Sequence, residues 1–202
     1  MMNKWSVGIF LFNEVEVLDF AGPFEVFSVT EVNEEKTFTV YTVSENGEMI
    51  TARNGLKVQP DYSIENLPPV DILIIPGGLG AREYEIKNEI VIKWIRQQMK
   101  EVKLMTSVCT GALLLAKAGL LEGLKATTHW ASIEKFKNEF KNEFKNVEVI
   151  ENVKFVDEGH IITSAGISAG INMAFHIVKN LLGMHVAEDT AKRMEYDISL
   201  PN

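Results

Sequence analysis

The sequence predicts an α/β fold with a mainly parallel central sheet covered on both faces by helices. Largely apolar runs recur at 7–12 (Val-Gly-Ile-Phe-Leu-Phe), 71–76 (Asp-Ile-Leu-Ile-Ile-Pro) and 102–108 (Val-Lys-Leu-Met-Thr-Ser-Val), the pattern of strands buried on both faces. Segments of helical length separate them, as crossovers between parallel strands require. No linker rich in Gly, Ser or Pro and no shift in composition divides the 202 residues, so one domain over 1–202 is expected.

The elements follow in order. Strand 7–12 opens the chain. Pro23 suits the first turn of a helix through Glu25, Val26 and Phe27, because its missing N–H costs nothing there. Residues 38–43 (Phe-Thr-Val-Tyr-Thr-Val) are β-branched and aromatic and predict a second strand. The strand at 71–76 ends at Pro76-Gly77-Gly78. A helix over 89–100 leads to the strand at 102–108, and a helix over 111–118 follows, with Gly119 closing its C-terminus. Shorter strands are expected at 147–150, 153–156 and 160–163, then helices over 169–182 and 186–194. A near-triple tetrapeptide begins at Phe136, Phe140 and Phe144; at about 100° per residue its Phe side chains fan over about 80°, as on an amphipathic surface helix.

Composition narrows the partners. Lys plus Arg number 20 against 28 Asp plus Glu, a net charge of −8, and an acidic chain repels phosphate backbones, so nucleic acid is not expected. The apolar run at 5–12 is cut short by Asn13 and Glu14, and the run at 112–121 by Lys117; neither a secretory signal nor a membrane span is expected. The single cysteine, Cys109, forms no intrachain disulfide and points to a reducing, cytoplasmic setting.

That cysteine sits in Ser107-Val108-Cys109-Thr110-Gly111, a cysteine version of the small-x-nucleophile-x-small elbow. A sharp strand-to-helix turn leaves no room for large side chains two positions either side. It would lift the sulfur to the carboxyl end of the sheet, where open α/β folds bind ligands. The following helix start is expected to lower the thiol pKa. The competing reading is a buried, inert cysteine. Pro76-Gly77-Gly78 ends a neighbouring strand, and its amides, with the N–H of Thr110, are expected to stabilise negative charge on a substrate. Asp19, between Leu18 and Phe20, reads equally as a helix-entry cap or as an acid/base beside Cys109. His129 is the histidine nearest a site segment; His160, His176 and His185 read as structural. No metal-ligand spacing is present, and no metal is expected.

Leu18-Asp19-Phe20-Ala21-Gly22-Pro23, Ile75-Pro76-Gly77-Gly78, Thr106-Ser107-Val108-Cys109-Thr110-Gly111, Ala126-Thr127-Thr128-His129-Trp130 and Glu195-Tyr196-Asp197 occur in an order that resembles the ThiJ/PfpI (class I glutamine amidotransferase-like) superfamily. Within it the likeness is to the isonitrile hydratase branch. The resemblance spans essentially the whole chain. It implies a flavodoxin-like three-layer sandwich, a homodimer, a small electrophilic substrate and no cofactor.

Residue by residue, it implies that Cys109 is the nucleophile and Asp19 the carboxylate contacting it. Thr110 stands where peptidase-like members carry His, which weakens a Cys-His mechanism. Gly77 and Gly78 match the donor loop. In Ser164-Ala165-Gly166-Ile167, Gly166 and Ile167 match a site-lining loop, although small residues equally suit close packing. The implied reaction is hydration of an isonitrile to an N-substituted formamide. Peptidase, amidase or glyoxalase chemistry, a redox-sensing thiol and a regulatory module are the rival expectations. Similar domains precede helix-turn-helix segments in transcription regulators, for which these 202 residues show no basic tail.

Overall fold

A computed structural model describes residues 4–138 and 146–198. Its central sheet has seven strands: β1 Trp5–Phe10, β2 Phe38–Ser44, β3 Tyr62–Ser63, β4 Ile72–Ile75, β5 Leu104–Val108, β6 Phe155–Asp157 and β7 Ile161–Ser164, in the order β6-β7-β5-β4-β1-β2-β3. Every pairing is parallel except the edge pair β6 and β7. The helices are α1 Val17–Val29, α2 Leu79–Glu83, α3 Glu89–Gln98, α4 Gly111–Lys117, α5 Ile133–Asn138, α6 Ala169–Leu182 and α7 Met184–Arg193. Helices α1, α6 and α7 pack together, while α2, α3 and α4 form a second group. Two helical layers thus flank the sheet in a flavodoxin-like sandwich. Among the described residues, no helix is long and apolar enough to cross a membrane.

The centre of the sheet is where the sequence is most continuously apolar. Val7, Ile9 and Phe10 of β1 and all of β4 are fully buried. Burying each large aliphatic side chain contributes about 1.5–3 kcal/mol, and neighbours on both faces leave no wet side for polar residues to alternate onto. The parallel order brings the carboxyl ends of β1, β4 and β5 to one edge, and the loops that follow them carry the chemistry.

Several expectations are corrected. Pro23 lies inside α1 rather than in its first turn. Helix α1 buries Phe20, Val26 and Phe27, and a Cβ on Gly22 would stand 2.7 Å from Ile171. Close packing against α6 thus outweighs the hydrogen bond that Pro23 removes. Asp19 is thereby placed in a helical turn. Residues 148–149 pair with 125–126 in a separate two-stranded sheet and not with the central one. Of the tetrapeptide repeat, Phe136 is buried on α5, and residues 139–145 lie outside the described residues.

Helix α3 begins on a pair of carboxyl groups. Asn88 caps it, its Oδ1 accepting from Ile90 N–H at 3.2 Å and Val91 N–H at 3.4 Å. The Asn88 Nδ2 donates to Glu45 at 2.7 Å and Glu85 at 3.3 Å. Burial, and then the charge of Glu45, push the Glu85 carboxyl up to about 7. The folded chain therefore holds this proton beyond the ordinary range, and the associated stability is complete below 4.5 and lost as pH rises through about 7. Glu85→Gln, which keeps an acceptor for Asn88 without the charge, is expected to raise the urea midpoint at pH 8, with the gap closing towards pH 4.

Candidate active site at Cys109

Strand β5 ends at Val108, and the chain turns within one residue into α4. Cys109 makes the turn with φ of 56°, a left-handed conformation that a non-glycine residue adopts at a cost of about 1–3 kcal/mol. Its surroundings hold it there. Cys109 N–H donates to the Ser164 carbonyl at 3.1 Å and the Ala165 carbonyl at 3.2 Å, and the Thr128 hydroxyl donates to the Cys109 carbonyl at 2.8 Å. The steric demand read from the sequence is present. A Cβ on Gly111 would stand 2.0 Å from the Ile75 carbonyl oxygen, and one on Gly77 would stand 2.5 Å from Thr110 N.

Asp19 reaches this elbow from the first turn of α1. Glu16 occupies the N-cap and the helix has no side-chain cap bond, so the capping reading of Asp19 is set aside. The carboxyl is fully buried, its Oδ2 accepts from Gly77 N–H at 2.9 Å, and its side chain interacts with the Cys109 thiol. Oδ1 is buried without a well-formed hydrogen bond.

Burial pushes Asp19 up to about 7; the Gly77 N–H and the thiol oppose this, and the charge of Glu16 reinforces it. Burial also pushes the Cys109 thiol up to about 12, with Asp19 adding to the rise against the pull of Thr110. The expected lowering of the thiol pKa is corrected here. A buried sulfur beside a buried carboxyl loses more by desolvation and like-charge repulsion than a helix start returns. The two groups act as one unit that releases a first proton near 7 and retains a second until about 12. Between those limits the pair holds one proton and one negative charge.

The glycine loop braces this pair. Gly77 N–H is taken by Asp19, and Gly78 N–H donates to Thr110 Oγ1 at 2.9 Å, while the same hydroxyl donates to the Gly78 carbonyl at 3.3 Å. The backbone N–H of Thr110 is hydrogen-bonded to the thiol. The amides expected to serve a substrate thus position Asp19 and Thr110.

His129 and Gly166 are brought together: a Cβ on Gly166 would stand 2.0 Å from the imidazole. His129 Nδ1 accepts from Ala131 N–H at 3.3 Å, and burial, followed by the charge of Arg82, disfavours its protonation. The thiol's partners are Asp19 and Thr110, not this ring. Ile167 is 37% exposed, with φ of 38°.

Sequence reasoning missed Thr128, which holds the elbow, and the separate charges of Glu16 and Arg82 that act on His129. Their signal lay in their closeness to Asp19, Gly78 and His129 along the chain. Among the described residues, no group of three or more His, Cys, Asp or Glu side chains is placed to hold a metal ion.

Residues 5–180 match the DJ-1/PfpI family. Over 192 residues the chain is 33% identical to the isonitrile hydratase of Pseudomonas putida, covering 95% of this chain and 78% of that protein. It is also 24% identical over 196 residues to the HTH-type transcriptional regulator GbdR of Pseudomonas aeruginosa, covering 96% of this chain and 52% of the regulator. The chain spans about half the length of that relative. Among solved structures, a THiJ/PfpI family protein from Pseudomonas syringae matches with a TM-score of 0.82 and 26% identity, covering 100% of this chain and 78% of that one.

Proposed function

The chain belongs to the DJ-1/PfpI family, and from that premise we propose that it hydrates isonitriles to N-substituted formamides, with Cys109 as nucleophile and Asp19 as its proton partner. The observation that carries this reading is a lone thiol on a strained elbow whose titratable partner is a buried carboxyl. An electrophile that must take both a nucleophile and a proton at one carbon suits such a pair. The likeness to an isonitrile hydratase along most of both chains supports it.

The reaction balances without further reagents. The sulfur attacks the terminal carbon of the isonitrile and forms the S–C bond. The thiol proton passes to Asp19 and from there to that carbon, giving a thioimidate. Water then adds to the thioimidate carbon, Asp19 taking one of its protons while the nitrogen gains another. Collapse of the adduct breaks the S–C bond and releases the formamide, leaving the proton that Asp19 took from water as the one proton of the pair, as at the start. Thr110 N–H is placed to hold charge on sulfur in the first and last steps. Gly77 and Gly78 act as positioning residues, and His129, Gly166 and Ile167 line the approach.

The same reading places the reaction in a cytoplasmic homodimer. The test is formamide production from aryl and alkyl isonitriles, with Cys109→Ala in parallel. Wild type is expected to turn over, and Cys109→Ala to fall to the uncatalysed rate. Absence of formamide across both substrate types overturns the hydratase reading. Ligand-dependent thermal stabilisation without product favours instead a non-catalytic regulatory role, the likeness to an HTH-type transcriptional regulator being its support.

A further inference from the structure

Among the described residues, Arg82 is a cation left without a partner, on the helix that follows the Gly77-Gly78 loop. Helix α2, which carries it, is stapled to the segment leading into Asp19. Glu16 N–H donates to the Gly77 carbonyl at 2.9 Å, Gly80 N–H donates to the Glu14 carbonyl at 3.1 Å, and Val15 bridges to Gly78. The other arginine on this segment is committed, since Arg53 faces Glu14 at 3.7 Å and Glu16 at 3.8 Å. Arg82 makes no hydrogen bond or ion pair among the described residues, and its Nε is buried without an acceptor. An orphaned guanidinium N–H is costly to keep in a fold.

Its position relative to the thiol follows from its neighbours. The charges of Arg82 and Glu16 both act on the His129 imidazole, and Glu16 also acts on Asp19. His129 follows Thr128, whose hydroxyl holds the Cys109 carbonyl at 2.8 Å. The helix that carries Arg82 starts two residues after Gly77, where a Cβ would stand 3.0 Å from Cys109 Cβ, and Arg82 and Glu16 are within electrostatic reach of His129 there. Exposed apolar side chains lie nearby along the chain, Trp130 at 80%, Leu18 at 38% and Ile167 at 37% exposure, beside the exposed Glu83.

We propose that the substrate attacked by Cys109 carries a carboxylate, and that Arg82 receives it. A planar guanidinium matches a carboxylate in a two-pronged hydrogen bond, and the buried Nε–H gains the acceptor it lacks. The inference rests on the reading of Cys109 as nucleophile. Joined to the hydratase reading, it names the substrate class as isonitriles that bear a carboxylate.

Two measurements separate this inference from that reading. The first compares alkylation of Cys109, the only thiol, by iodoacetate and by its neutral isostere iodoacetamide, each normalised to glutathione. Both form an S–C bond and release iodide, the thiol proton passing to Asp19. Wild type is expected to favour iodoacetate over the glutathione ratio by about tenfold. Arg82→Gln is expected to bring the ratio of iodoacetate to iodoacetamide rates down to that of glutathione, and Arg82→Lys to retain part of the preference.

The second compares kcat/KM for isocyanoacetate and isocyanoacetamide, with the preference for the anion lying in KM and lost in Arg82→Gln. A wild-type ratio no higher than that of glutathione, or one unchanged in Arg82→Gln, overturns the role of Arg82 whatever the isonitrile assay shows. Loss of turnover with both isonitriles, alongside a retained iodoacetate preference, overturns the hydratase reading alone. A Cys109 inert to both alkylating reagents contradicts both.

Discussion

Asp19→Asn is expected to lower kcat/KM about a thousandfold while making the chain more stable above pH 7. The kinetic loss follows because an amide neither accepts the thiol proton nor delivers it to the reacting carbon. The gain in stability follows from linkage. The folded carboxyl sits at about 7 against an ordinary 3.8. Its contribution is therefore fully present below about pH 4 and lost as pH rises through about 7. At 1.36 kcal/mol per pH unit, this rise corresponds to about 4 kcal/mol. The asparagine keeps an oxygen for Gly77 N–H but forfeits part of that charge-assisted bond, leaving a net gain of about 2 kcal/mol. Urea unfolding of both proteins at pH 4 and pH 8 checks the sign: the variant gains on the wild type only at the higher pH. A function that needs a strained, costly group at its centre produces this opposition between activity and stability.

Gly111→Ala is expected to be strongly destabilising, at about 3 kcal/mol. Its new Cβ would stand 2.0 Å from the Ile75 carbonyl oxygen and 2.9 Å from that of Pro76. These are backbone atoms at the end of a fully buried central strand, so the elbow must open to relieve the clash. Gly119→Ala supplies the contrast. Its φ is 76° and its Cβ would meet nothing within 4 Å. Only the left-handed helix-end conformation is strained, costing about 1 kcal/mol. Urea midpoints for the pair check the order, and equal losses would contradict the steric account of the elbow.

What was readable from the chain divides by physical cause. The central strands were legible because a strand buried on both faces has no wet side, and Ile72–Ile75 shows this residue by residue. The elbow was legible because the close approach of β4 leaves only a glycine at 111. Helix α1 was misjudged at Pro23, where a local rule loses to packing against α6. The electrostatics of the site were not legible. Cys109 and Asp19 are far apart in sequence, and the direction of both shifts depends on how deeply folding buries them together. The assignment of the Gly77 and Gly78 amides depended likewise on which acceptors the fold delivered.

The central claim is that Cys109 and Asp19 form one proton-sharing unit in which the buried carboxyl governs the reactivity of the thiol. The most direct measurement is the pH dependence of Cys109 alkylation by iodoacetamide in wild type and in Asp19→Asn. The wild-type rate is expected to rise through an apparent pKa of about 7, and that limb to be lost in the variant. A wild-type thiol already fully reactive at pH 5, or a profile unchanged by Asp19→Asn, would contradict it.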